Sequence, residues 1–247
     1  MPCKLYANIG VGHENDFTVL ERRIIAAAQC NADAVIISKS TPVLVIPEEK
    51  KYVAIPSKWG TLPYIEVAKR SELSASNLTK IVELCNQIGI PLIWSVTDMD
   101  AMHFVKEYAD AISIKIHYNA VDPIDMVRSA ADMFDTVYVS HLIVEEAQPY
   151  LRRRGQLNVF YTTEQFPPET NQLNFSVIDK LIKLKYTVGY EGREAGIFPA
   201  IALAYAGIEY IEKYLGDEDS DNSSVLTPEQ FMDLFTSLDL LQTAKGT

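Results

Sequence analysis

An α/β protein folded as a single (β/α)8 TIM barrel is what this sequence predicts, on three observations. Short runs rich in β-branched and apolar residues recur at 4–9, 34–39, 92–96, 111–116, 136–140, 158–162, 186–190 and 208–213, each followed by a turn and a segment of helical spacing. Several runs are apolar at consecutive positions, Ala34-Val35-Ile36-Ile37 most clearly, as expected of parallel strands covered on both faces. The length, 247 residues, is that of one such barrel. No shift of composition marks a second domain, so 1–247 reads as one unit.

The helices follow from spacing and caps. Phe17, Leu20, Ile24 and Ala28 form one face behind the cap Asp16, and Ser74 caps a helix carrying Leu78, Ile81, Val82 and Cys85. Asp122-Pro123 is a cap followed by proline at the first helical position. Thr227-Pro228-Glu229-Gln230 combines that proline signal with a capping box. One long segment, 40–73, reads as an irregular insertion after the second strand, and a loop of that length is more often functional than idle. The acidic run at 217–221 reads as a solvated loop.

Composition narrows the function classes. Hydrophobic residues make up 48% and charged residues 22%, as in ordinary globular proteins. A net charge of −11 argues against nucleic acid as a partner, although a small locally positive site on an acidic protein still suits an anion. The N-terminus lacks a basic segment followed by a long apolar one, and the longest apolar stretch, 197–211, is too short to span a bilayer. Neither secretion nor membrane partnership is expected, and the protein is expected in the cytoplasm. Cys3, Cys30 and Cys85 have no metal-ligand spacing and are expected to be buried free thiols in a reducing compartment.

Chemistry in this fold sits at the carboxyl ends of the strands. Those ends carry Asn8 and His13, Lys39, Asp98, Lys115 with His117, Ser140 with His141, Thr163 with Glu164, Glu191 with Arg193, and Glu212 with Tyr214. Lys115 is the foremost candidate, because an ammonium inside an apolar strand must find an anion to offset desolvation. Glu212 and Lys213 read equally well as an ordinary ion pair. His13, His117 and His141 read as structural groups bonding a loop carbonyl or, less readily, as metal ligands, since they come from different strands without metal-binding spacing. With Glu164 and Glu191 they also allow an unrelated lyase, isomerase or hydrolase working by proton transfer.

A resemblance runs through the same residues. Asn8-Ile9-Gly10-Val11-Gly12-His13-Glu14-Asn15, followed by a helix and Asn31-Ala32-Asp33-Ala34-Val35, resembles the opening of the sialic acid synthases, Glu-Ile-Gly-x-Asn-His-x-Gly and then Gly-Ala-Asp-Ala-Val-Lys-Phe-Gln. Further matches follow in order: Trp59-Gly60-Thr61-Leu62, Glu72-Leu73-Ser74, Ser95 and Asp98 in Ser-Val-Thr-Asp, Lys115-Ile116, Val188-Gly189-Tyr190, Ile211-Glu212-Lys213, and Asp221 ahead of Leu226-Thr227-Pro228. The resemblance implies a barrel that condenses phosphoenolpyruvate with an N-acyl amino sugar, such as N-acetylmannosamine, in nonulosonic acid biosynthesis. It implies that Lys115 pairs with phosphoenolpyruvate, that Ser140 bonds its phosphate and that Glu212 lines the sugar site.

The departures from the family pattern bear on activity. The first-strand glutamate is Asn8, the second-strand lysine is Ile36 with Lys39 offset from it, and the serine of Lys-Ile-x-Ser is Tyr118. The two metal-binding histidines, in Gly-Tyr-Ser-Asp-His and Ile-Glu-Lys-His, are Arg193 and Tyr214. No resident metal or other cofactor is therefore expected, and the synthase activity is expected to be impaired or altered. The resemblance implies a homodimer, and since the family's small C-terminal antifreeze-like domain is absent from 1–247, a partner supplying that domain is the other expectation. The candidate catalytic residues are Glu212, His13 and Lys115. The candidate substrate-binding residues are Lys115, Ser140, Ser95, Asp98, Thr163, Arg193 and Asp221, for a phosphorylated or carboxylated small molecule or an amino sugar. The alternatives are a catalytically degenerate sugar-binding or partner barrel, and the proton-transfer enzyme built on the three histidines.

Overall fold

The computed structural model describes residues 3–10, 12–153, 155–217 and 222–245. Eight parallel strands close on themselves: β1 Lys4–Asn8, β2 Ala34–Lys39, β3 Leu92–Val96, β4 Ser113–Ile116, β5 Thr136–Ser140, β6 Leu157–Tyr161, β7 Val188–Gly192 and β8 Tyr210–Leu215. Closure is the pairing of β8 with β1, in a register that sets Tyr6 against Glu212 and Asn8 against Tyr214. A two-residue strand, Val225–Leu226, extends the ladder outside the upper end of β8.

The helical signals act largely as the sequence predicts. Asp16 accepts the Thr18 N–H at the head of Phe17–Gln29, and Ser74 accepts the Asn77 N–H at the head of Ala75–Ile88. Thr227 and Gln230 exchange bonds at the start of Pro228–Lys245, each side chain accepting the other's backbone N–H. Asp122 differs: it takes the left-handed conformation and its side chain makes no cap bond, so the helix Pro123–Met133 starts on the proline. The segment 40–73 is not irregular. It holds short helices Pro42–Val45 and Glu48–Lys51, a pairing of Ala54–Ile55 with Leu62–Pro63, and the helix Tyr64–Ser71. Four-residue helices hold barely one turn, too little for a period to show.

Inside the barrel, Tyr6, Ile36, Ile93, Tyr138, Phe160 and Tyr210 fill the cross-section with side chains. Tyr6 and Tyr138 share a hydroxyl hydrogen bond of 3.3 Å, and the Tyr210 hydroxyl donates toward the carbonyls of Val159 (3.1 Å) and Thr187 (3.2 Å). Gly189 makes room for the Tyr210 ring, since a Cβ there would lie 1.9 Å from two of its carbons. A continuous apolar layer joins the outer strand faces to the helices through Leu20, Ile24, Leu78, Met102, Val127, Ile178, Leu203 and Phe231. Cys30 and Cys85 lie buried in that layer, whereas Cys3 is only partly buried. Among the described residues no helix is long and apolar enough to cross a membrane.

Candidate functional site

Above the aromatic floor the inward positions turn polar. Lys115 of β4 stands in register with Ser95 of β3 and Tyr138 of β5, and Glu191 of β7 with Glu212 of β8. Strand β7 runs to Gly192, so Glu191 is an inward residue of the strand itself, not a loop residue beyond it. The Lys115 ammonium lies 2.5 Å from Glu212 Oε2, 3.0 Å from Glu191 Oε2, and over the Phe160 ring at 4.6 Å. Asn8 Nδ2 donates to the other Glu212 oxygen at 2.6 Å, while Asn8 Oδ1 accepts the Gly10 N–H. Arg193 donates through Nη2 (2.7 Å) and Nε (2.8 Å) to Glu191 Oε1, and through Nη1 to the Thr163 carbonyl. Asn8, Glu212, Lys115, Glu191 and Arg193 are therefore one bonded chain drawn from four strands and one loop.

Two cations meet two carboxylates, so the chain is formally neutral, and the carboxylates are unequal. Burial alone would raise Glu191, but Lys115, His117 and Arg193 outweigh it and hold its carboxyl well below the usual range. Burial pushes Glu212 up, and the neighbouring Glu191 charge adds to the rise against Lys115 and Asn8. Of the pair, Glu212 is the one nearer to holding a proton. Phe166 roofs the rim, edge-on to Tyr214 with centroids 5.5 Å apart and 5.9 Å from the Arg193 guanidinium.

The remaining candidates divide. Ser140 is buried, and its Oγ accepts the Leu142 N–H, leaving the hydroxyl hydrogen for a ligand. Ser95 is buried beside Lys115 in the register. Thr163 contributes its carbonyl to Arg193, while its hydroxyl donates to the Gln165 carbonyl. Asp98 serves the backbone: one oxygen accepts the Ala101 N–H and the other the Thr41 N–H, tying the 40–73 segment to the helix Met99–Ala109. Lys39 pairs with Glu72 of that segment. Glu212 and Lys213 are not paired with one another, for strand neighbours face opposite ways; Lys213 bonds the Glu194 carboxylate and carbonyl instead. Asp221 lies outside the described residues.

His117 lies close enough to this chain to feel the charges of Glu191, Lys115 and Arg193, whereas His13 and His141 bond loop backbone instead. His13 is 3% exposed; its Nδ1 accepts the Asn15 N–H at 3.0 Å, and no bond reaches Lys115 or Glu212. It lines a separate cavity of about 360 Å³ with Ser38, Ser40, Tyr64 and Glu72. His141 Nδ1 accepts the Thr162 N–H at 3.4 Å. Burial lowers His13, His117 and His141 to about 4, so all three are neutral at pH 7. Their unfolded values lie near 6.5, so between these limits the unfolded chain binds more protons. Stability is full above pH 6.5 and falls as the pH drops toward 4. The melting midpoint is expected to fall by on the order of 10 °C from pH 7 to 4.5. A flat midpoint across that range would mean that the rings are not buried neutral.

The residues at the two expected ligand positions do not fit a divalent cation. Arg193 and Tyr214 stand where the resemblance puts histidine ligands, and a guanidinium repels a cation rather than binding it. Among the described residues no three His, Cys, Asp or Glu side chains are grouped to hold a metal. What sequence reasoning missed is Glu191 as a partner of Lys115, and Asn8 as a donor to Glu212. The signal was present: a buried lysine demands an anion, and acids stand at three later strand ends, Glu164, Glu191 and Glu212.

Comparison with known proteins places this geometry in context. The model described as the NeuB family matches residues 23–247. The mouse N-acetylneuraminate-9-phosphate synthase is 25% identical over 272 residues, covering 100% of this chain and 72% of its own length. The N,N'-diacetyllegionaminic acid synthase of Legionella pneumophila is 22% identical, with 100% and 74% covered. Among solved structures, the N-acetylneuraminic acid synthetase of Leptospira borgpetersenii superposes with a TM-score of 0.85 at 21% identity, covering 100% of this chain and 86% of that one. The Bacillus subtilis spore coat polysaccharide biosynthesis protein spsE gives 0.78 at 18%, with 98% and 68% covered.

Proposed function

The chain belongs to the NeuB family, and from that membership we propose a sialic-acid-synthase-like role in nonulosonic acid biosynthesis, with an N-acyl amino sugar held at the barrel mouth. The observation that carries this reading is the bonded chain Asn8–Glu212–Lys115–Glu191–Arg193 at the carboxyl ends of the strands. It offers acceptors and donors at fixed spacing, which is what sugar hydroxyls and an amide require. Ser140 and Ser95 add hydroxyls at the same level. The family reaction, condensation of phosphoenolpyruvate with the sugar, is impaired or altered in this reading. Asn8 supplies no carboxylate, Ile36 supplies no charge, and Arg193 offers a fixed positive charge in place of a Lewis acid. No step here depends on a resident metal. The setting in this reading is the cytoplasm.

One observation favours a second reading, a barrel that binds a sugar or partners an active synthase without catalysing condensation. Glu191 already satisfies both Lys115 and Arg193, the two cations that an anionic co-substrate needs.

Calorimetric titration separates the readings. N-acetylmannosamine and phosphoenolpyruvate are titrated singly and together, with manganese and with a chelator, into wild type and Lys115→Ala, and product is assayed in parallel. Expected are sugar binding lost in Lys115→Ala and, for whatever condensation is detected, a rate indifferent to manganese. Sugar binding without product under any condition selects the second reading. Silence toward the sugar at millimolar concentration overturns both.

A further inference from the structure

We infer that Glu191 is the specificity-determining residue of the mouth: its carboxylate occupies the anion subsite between Lys115 and Arg193, so the site selects neutral polyhydroxyl ligands and rejects phosphate or carboxylate groups. The inference deepens the reading of an amino-sugar site and rests on it. The geometry is that of a bound anion held by its host. One oxygen of Glu191 accepts from Lys115 at 3.0 Å, and the other accepts two Arg193 bonds, at 2.7 and 2.8 Å. Such charge-assisted contacts, two of them from one planar guanidinium, are what a recognition site gives a ligand carboxylate or phosphate. Here the group that takes them is covalently part of β7 and only 1% exposed.

Two consequences follow for an incoming ligand. A free anion cannot reach Lys115 without displacing Glu191, and a displaced Glu191 stays tethered within the same low-dielectric mouth, where like charges repel strongly. Lys115 is also bound by Glu212, at 2.5 Å, so no unsatisfied positive charge remains to attract a second anion. A neutral ligand meets neither obstacle. It displaces no charge and needs only hydrogen-bond partners, such as the hydroxyls of the rim. An amino sugar without a phosphate fits that description, and phosphoenolpyruvate does not.

The test is a gain of binding, which a merely structural residue would not give. Glu191→Gln keeps the shape and removes the charge; Glu191→Ser removes charge and volume, leaving Lys115 and Arg193 with one carboxylate between them. Orthophosphate and phosphoenolpyruvate are titrated into wild type, both variants, and Glu191→Ser combined with Lys115→Ala, after far-ultraviolet circular dichroism has established that each is folded. The expected result is at least a tenfold gain in affinity for both anions in either single variant, abolished by adding Lys115→Ala. The inference is overturned by wild type binding phosphoenolpyruvate as tightly as the variants do. It is overturned equally by folded single variants that gain nothing. N-acetylmannosamine, titrated into wild type alongside, reads the sugar-site proposal separately: its failure to bind would remove that proposal and leave the anion result standing on its own.

Discussion

Lys115→Ala is expected to cost about 3–5 kcal/mol of folding stability, lowering the melting midpoint by roughly 10 °C in a chain of this size. The ammonium is the bridge between Glu191 and Glu212, carboxylates that are 1% and 0% exposed. Removing it leaves two buried carboxylates facing one another with Arg193 and Asn8 as their remaining donors. Burial of uncompensated charge is far costlier than the pair itself is stabilising. The diagnostic is the double variant. Glu191→Gln placed in the Lys115→Ala background removes one of the stranded charges and should recover a substantial part of the loss, giving a coupling energy above about 1 kcal/mol. Strictly additive midpoints would show that the lysine acts through packing on Phe160 alone.

Gly189→Ala should be of similar severity for an unrelated reason. The added methyl would stand 1.9 Å from Cδ2 and Cε2 of Tyr210 and 2.8 Å from its Cγ. The ring has nowhere to swing. It stacks on Tyr6 at 5.6 Å, meets Tyr138 and Phe160 edge-on, and is pinned by its hydroxyl to Val159 and Thr187. Overpacking of a filled core costs about 1–3 kcal/mol and more where the neighbour cannot move; the upper end, about 3 kcal/mol or beyond, is expected here. Chemical denaturation of Gly189→Ala and of Gly189→Ala combined with Tyr210→Leu measures it. The smaller side chain should restore part of what the single change removes. A single variant within 0.5 kcal/mol of wild type would sink the argument.

Much of this fold was legible because its signals are local and repeated. Runs such as Ala34-Val35-Ile36-Ile37 announce a strand covered on both faces, and the caps Asp16, Ser74 and Thr227 are bonded as their residue types require. The segment 40–73 escaped because two of its helices are single turns begun by Pro42 and Pro47, with no period to read, and the third, Tyr64–Ser71, is only eight residues long. The site was legible one residue at a time. Lys115 stood out by its setting, but its partners lie 76 and 97 residues further along the chain, on strands that only closure brings near. Asp98 misled for the opposite reason: its position at a strand end suggested ligand chemistry, whereas both oxygens serve backbone amides.

The bonded chain at the mouth also bears on how such a barrel can change over generations. Restoring glutamate at position 8 alone would set a third carboxylate against Glu212, where Asn8 now donates at 2.6 Å. Exchanging Glu191 alone for the serine of the family pattern would strand Arg193, and exchanging Arg193 alone for histidine would loosen Glu191. Each single reversion toward the family's arrangement breaks a bond that the other residues now need, so their effects cannot be independent. Any exchange toward the family's arrangement therefore has to be made at several of these positions together.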